Sequence, residues 1–296
     1  SKTPIPAGPD NPKGFAESAA LLDIHNRILD SAGTSWLDWS RLNTDWSDSV
    51  ASAAFRDELA QGLRSEYGGA PLIAVKDPRI CRFADVWLKV LEDEGYTPLP
   101  IIAFRNPVEV AKSLMARNKF SQLRTELLWL RHVVDAERMT RGRPRVFVNY
   151  QDVLDDWRQV VGVLRERLFV RWPRYSPSVE IEIDDWIDGS LRHSISNASD
   201  KLLRGDFSPW SRKIYSTLLR VAREGEDQAA FDVFDEVGAV FDSGSAVFGR
   251  LVQETETRVA KASSKLHVAT TSLDAKSKQA EAAEQRLVAL ARELEA

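Results

Sequence analysis

Only one cysteine, Cys81, stands in the 296 residues, so no internal disulfide can staple the fold. A chain that does without disulfides suits a reducing compartment, and the cytoplasm is the expected location. Histidines number four and are scattered, with no spacing that suits metal ligation, so no metal site is expected. No stretch approaches the roughly 18 consecutive apolar residues of a membrane span. Neither sign of charge dominates: 40 Lys and Arg face 44 Asp and Glu, a formal net charge of −4. Without a global positive field no nucleic-acid partner is expected, and any anion site must be local. Proline and glycine disappear after Gly249, so nothing there interrupts a long helix.

What is present reads as alternating strands and helices. Residues 1–14, SKTPIPAGPDNPKG, are turn and loop. A helix is expected over Phe15–Ser31, with Leu21, Leu22, Ile24, Ile28 and Leu29 on one side. A loop bearing Trp36, Trp39 and Trp46 follows; its rings suit either core filling or stacking on sugars. Ser49 is placed to cap a second helix that ends at Gly68-Gly69. Strands are expected at Leu72–Val75, Leu99–Phe104 and Val146–Val148. Helices are expected through Phe83–Leu91, after Pro107, over Ser121–Thr140 and over Asp152–Leu168. This alternation predicts a parallel α/β sheet flanked by helices, with ligands at the carboxyl ends of its strands.

Chemistry-bearing groups sit at those ends. In LPIIAFRNPVEVAKSL, Arg105 ends a strand and Ser113 lies eight residues on, along a helix. An arginine fork binds phosphate oxygens in parallel hydrogen bonds, and a serine hydroxyl adds a donor. An exposed arginine and a helix-surface serine are the plain alternative. Lys76-Asp-Pro-Arg79 follows the expected strand at Leu72–Val75. Asp77 and Pro78 suit a helix start, and Lys76 suits a transferring anionic group. Glu17, after Lys13, is either a first-turn carboxylate or a general base. Arg192 and His193, in Ser190-Leu-Arg-His-Ser194, are candidate anion or proton-handling groups.

From Gly249 the texture is heptad. Val252, Val259, Leu266, Leu273, Ala280, Leu287 and Leu294 recur every seven residues. Thr255, Ala262, Ala269, Lys276, Ala283 and Leu290 form the track three residues on. Such a pattern predicts a coiled-coil helix over 246–296 after an α/β domain over 1–245, pairing with itself or with a partner helix. A solvated helix lying on its own domain is the alternative.

Taken together and in order, DNPKGFAES, VKDPRI, IIAFRNPVEVAKSL, WLRHVVDAERMTRGRPRVFVNYQDVLDDW and SLRHS resemble the bacterial sulfotransferase-like family related to carbohydrate sulfotransferases. The likeness runs over roughly residues 8–215. It implies a nucleotide-kinase-like sheet of P-loop type. It also implies transfer of a sulfuryl group from 3′-phosphoadenylyl sulfate (PAPS) to a hydroxyl acceptor, a carbohydrate, leaving adenosine 3′,5′-bisphosphate (PAP). By the same resemblance Arg105 and Ser113 hold the 3′-phosphate, with Arg192 and His193 lining the nucleotide site. Lys76 lies at the sulfuryl group, Glu17 is the base, and Lys13 and Arg79 meet the acceptor.

The sequence departs from that family at its start. The family's opening strand and G-x-x-R-S-G-T-S loop, which cradles the 5′-phosphosulfate, have no counterpart; Ala32-Gly-Thr-Ser35 follows a helix instead. With no initiator Met and heptads still running at the end, the chain is expected to be a fragment, inactive alone. Two rival classes stay open. A kinase-like phosphoryl transferase lacks its Walker lysine here. A non-catalytic module of the same fold would act through the coiled coil.

Overall fold

Serine and asparagine start most of the helices, as a computed structural model describing residues 1–8, 14–187 and 207–294 shows. The Ser18 hydroxyl accepts from the Leu21 N–H and opens α1, Ala19–Ser31, so the helix begins four residues later than its apolar spacing suggests. Ser49 caps α2, Val50–Tyr67, which ends on Gly68 in the left-handed region (φ +59°). Then follow α3, Ala84–Asp93; β1, Ile101–Phe104; α4, Pro107–Asn118; and α5, Gln122–Thr140. The chain continues with β2, Val146–Asn149; α6, Tyr150–Leu168; α7, Pro177–Trp186; α8, Pro209–Glu224; and α9, Gln228–Leu294.

β1 and β2 pair in parallel, with Ile101 opposite Val146 and Phe104 opposite Asn149. The expected parallel sheet flanked by helices is present only in part: among the described residues it stops at two strands, and the structure is mostly helical, at 70%. The strand expected at Leu72–Val75 does not form. Its apolar side chains do reach inward, since Ile73 and Val75 pack on the cluster of α1–α3. Its backbone, however, meets a side chain instead of a neighbouring strand: the Tyr67 hydroxyl donates to the Ala74 carbonyl at 3.2 Å. Alternation of apolar residues gives a buried face, and only a partner strand turns that into a sheet.

The α1–α3 cluster centres on Leu21, Ile28, Leu29, Leu59, Leu63, Phe83 and Trp87. Gly62 lets α2 approach α1 closely: a Cβ there would lie 2.9 Å from Leu21 Cδ2 and 3.3 Å from Ile24 Cδ1.

Arginines tie the remaining elements together. Arg82 and Arg131 are fully buried and share the buried Asp135, at 2.9 and 3.0 Å. Their other donors reach the carbonyls of Asp38, Trp39 and Ser40, which fixes the tryptophan loop against α5. Arg131 also meets Asp242 at 2.8 Å, joined there by Arg138 at 3.1 Å. Burial pushes the Asp135 carboxyl up, and the two guanidiniums oppose that shift. A second lattice runs from Glu226 through the buried Arg145 to Glu137, and on through Arg141 to Asp235.

By its contacts the chain divides into Ser1–Ser243 and Gly244–Ala296. Within the first unit α9 buries Ala230, Phe234, Val237 and Phe241, at helical spacing. The second unit is helix throughout its described residues, to Leu294. Among the described residues no helix is long and apolar enough to cross a membrane.

Candidate functional site

At the carboxyl ends of β1 and β2 two helices begin, α4 and α6. Asn106 caps α4 by accepting from the Val108 N–H at 2.9 Å, with Pro107 in the first helical position. Asn149, the last residue of β2, caps α6. Each helix carries a carboxylate in its first turn, Glu109 and Asp152, where the unpaired N–H groups favour one. Arg105 lies between β1 and α4. Its Nε donates to Glu109 Oε2 at 2.7 Å, and its guanidinium stacks on the Tyr150 ring at 4.5 Å. Its two Nη groups meet no acceptor among the described residues. The Arg105 carbonyl accepts from the Trp129 indole at 3.0 Å, which pins the junction to α5. Burial raises the phenol of Tyr215, on α8, above the ordinary value, and the nearby Glu109 and Asp152 charges add to the rise.

Ser113 is exposed on α4, six residues beyond Pro107 and so roughly 9 Å along the axis. Glu109 precedes it by four residues, one turn back on the same face. The row from Arg105 towards Ser113 is thus interrupted by a buried carboxylate that sequence spacing alone passed over. The signal was there: Glu109 is four residues from Arg105, a standard ion-pair distance on a helix.

A second group forms where the N-terminal segment folds back. Ile5 N–H donates to the Glu17 carbonyl at 2.9 Å and Ala19 N–H to the Thr3 carbonyl at 2.7 Å. Glu66 accepts from the N–H groups of Lys2 and Thr3, both at 3.1 Å. Between these ties Ala16 is held at φ +55°, a conformation a non-glycine residue adopts at a cost of about 1–3 kcal/mol. Glu17 is thereby turned inward and buried, and Lys76 Nζ lies 2.5 Å from its Oε1. The Lys76 side chain is 59% exposed, so the pair is open to solvent on the lysine side.

Arg79 is engaged elsewhere. It donates to Asn26 Oδ1 at 2.9 Å and to Asp77 Oδ1 at 3.1 Å, and lies 5.8 Å over the Trp36 ring. Trp39 and Trp46 are buried, whereas Trp36 stays half-buried against Phe120. Lys13, Arg192 and His193 lie outside the described residues. No hydrogen bond or ion pair among the described residues joins Glu17 and Lys76 to Arg105.

Asp77 does more than start a helix. Its Oδ2 lies 2.9 Å from Nδ1 of His25, and Nε2 of His25 lies 3.0 Å from the Trp87 indole nitrogen. An indole N–H only donates, so Nε2 is the acceptor and the ring proton sits on Nδ1, facing Asp77. The dyad resembles a hydrolytic pair, but Trp87 closes off the nitrogen that would work, and its role is structural. Burial opposes the charge on Asp77, yet the His25 hydrogen bond and the Arg79 contacts outweigh it and hold this carboxyl below the ordinary value. A carboxyl lowered by folding contributes stability above its unfolded value and loses it as pH falls through the folded one. The gap in urea midpoint between wild type and Asp77→Asn is therefore constant above about pH 5 and closes as pH drops below about 4, near the unfolded carboxyl value. A gap that does not change between those limits contradicts the charged hydrogen-bonded pair.

The half-buried His132 donates to the Leu128 carbonyl, and desolvation and then the Arg82 charge push it down to about 4. Burial pushes the Cys81 thiol up, and it donates to the Pro78 carbonyl at 3.0 Å. Neither is placed to act as a nucleophile or base near neutral pH.

Comparison with protein-family models, with curated proteins and with solved structures returns no match in any of the three.

Proposed function

We propose that the protein is a cytoplasmic sulfotransferase that moves a sulfuryl group from PAPS to a hydroxyl of a carbohydrate acceptor. The observation that carries this reading is the meeting of Glu17 and Lys76, 59 residues apart in sequence, at 2.5 Å. The first is a candidate base and the second a candidate cation for the transferring group, and chemistry needs both at one place. The acceptor oxygen attacks sulfur as its proton passes to Glu17. The bond from sulfur to the bridging oxygen breaks, and its electron pair leaves with the 5′-phosphate of PAP. Lys76 offsets charge on the sulfuryl and bridging oxygens throughout.

Arg105 supplies the 3′-phosphate contact in this scheme. Glu109 and Tyr150 fix the guanidinium by its Nε edge and its face, which leaves the two Nη groups for an anion. Arg192 and His193 complete the nucleotide site, and Lys13 the acceptor side. In a kinase-like sheet of P-loop type, β1 and β2 are two of the parallel strands. The described residues supply no cradle for the 5′-phosphosulfate.

Arg105→Ala should weaken PAP binding by about 1.5–3 kcal/mol, the range for a hydrogen bond to a charged group. Titration calorimetry giving equal affinity for both proteins contradicts the assignment. A non-catalytic module is the second reading, favoured by the Glu109 carboxylate already on Arg105; it predicts no PAP binding at all.

A further inference from the structure

Glu66 lies in the last turn of α2 and is buried there, with 5% of its surface exposed. A carboxylate is disfavoured at that end of a helix, where unpaired carbonyls carry negative charge, and burial adds to the cost. What compensates Glu66 comes from far away in sequence. Its Oε2 accepts from the N–H groups of Lys2 and Thr3, 64 and 63 residues back, both at 3.1 Å. A carboxylate that accepts backbone N–H groups is favoured in its charged form.

The segment that Glu66 grips runs beside the start of α1. Pro4 bridges Ser18, and the Thr3 and Ser18 hydroxyls meet at 3.2 Å. The Ile5 and Ala19 N–H groups donate to the carbonyls of Glu17 and Thr3. Glu17 is thus pinned through its own carbonyl and through its neighbours, and Ala16 before it is left at φ +55°. Such a conformation persists only where the surroundings impose it. Here residues 2–5 impose it, and Glu66 holds residues 2 and 3. Lys76 Nζ finds both of its acceptors in this turn, Glu17 Oε1 at 2.5 Å and the Phe15 carbonyl at 3.5 Å. Relaxation at Ala16 would carry both away from the lysine.

We infer that Glu66 is a positioning residue: its grip on residues 2 and 3 keeps the Glu17 carboxylate at Lys76. It acts through the backbone, with no hydrogen bond to Glu17 or Lys76 among the described residues. Its effect on transfer rests on the reading of Glu17 as the base.

Two measurements on the full chain test this, one of placement and one of rate. Placement is read by the rate at which an amine-acylating reagent modifies Lys76, followed by mass spectrometry. The Lys76 side chain is 59% exposed, so reagent reaches it, and the amine that reacts is the one released from its carboxylate. Glu17→Ala sets the rate for an unpaired Lys76. Glu66→Ala should react at that faster rate. Glu66→Gln should react as wild type does, because its side-chain carbonyl still accepts from both N–H groups. Glu66→Ala should also lower kcat for sulfuryl transfer at least about tenfold and leave PAP affinity within about twofold, since only the base is displaced. Glu66→Gln should restore most of kcat. Should Glu66→Ala lose the near-ultraviolet circular dichroism of the folded chain, Thr3→Pro takes its place. Thr3 is exposed, and proline there removes one donor without touching α2.

A folded Glu66→Ala or Thr3→Pro whose Lys76 reacts at the wild-type rate overturns the inference. So does faster acylation with kcat unchanged, which makes the grip a purely structural tie. A wild type that transfers nothing overturns sulfuryl transfer as the function, and the acylation rates then still decide whether Glu66 places Glu17.

Discussion

Asp135→Asn should lower the unfolding free energy by about 3–5 kcal/mol, the cost of breaking a buried ion pair by removing one partner. Asp135 is the one carboxylate hydrogen-bonded to Arg82 among the described residues, and Arg82 has no exposed surface. Without it that guanidinium keeps only the carbonyls of Asp38 and Ser40. Arg131 fares better, since Asp242 stays at 2.8 Å. Two controls separate lost charge balance from lost packing. Arg82→Met with Asp135→Leu removes both charges together and should recover much of the loss. Asp23→Asn breaks the exposed pair with Arg27 and should cost under about 1 kcal/mol. Urea unfolding measures all of these. A loss for Asp135→Asn no larger than for Asp23→Asn contradicts the buried network.

Glu17→Gln should cut sulfuryl transfer by about a hundred- to ten-thousand-fold, the usual effect of removing a general base, with PAP affinity unchanged. The fold should survive the change. The pair with Lys76 is open to solvent on the lysine side, where an ion pair adds little stability. The backbone ties of Glu17 to Ile5 do not use its side chain. A rate within tenfold of wild type shows that the proton leaves by another route.

The helices were the most legible part of the sequence. Ser18, Ser49 and Ser121 each precede an apolar-periodic run, and each caps the helix that follows. Gly68 ends α2 at the position its conformation requires. β1 and β2 were legible because Ile101–Phe104 and Val146–Val148 are short, apolar and β-branched in part. Leu72–Val75 has the same texture and forms no strand, since pairing depends on what lies beside the segment. Sequence texture carries no such information. α7 and α8 gave no sequence expectation. Pro177 and Pro209 mark both starts. α7 buries none of its residues, so it has no apolar face to leave a periodic trace.

The candidate site was legible at its cations and obscure at their partners. Arg105 and Lys76 follow from their places beside apolar segments. Glu109 and Tyr150 qualify what Arg105 can do, and they come from the first turn of α4 and the first residue of α6. Asp77 reads in sequence as a cap; its bond to His25 joins residues 52 apart, a distance at which no local pattern operates. The buried arginines were not foreseen at all. Arg82 and Arg131 look in sequence like surface cations, and only the fold shows them satisfied by Asp135 and three loop carbonyls.

Transfer of label from sulfuryl-labelled PAPS to a panel of carbohydrates tests the proposed function most directly. It should be run on the wild-type protein and on its Arg105→Ala form. The proposed function predicts labelled acceptor and an equal amount of PAP from the wild type, and a large loss with Arg105→Ala. No labelled acceptor from either, with no PAP bound by calorimetry, contradicts a sulfotransferase and leaves a non-catalytic module.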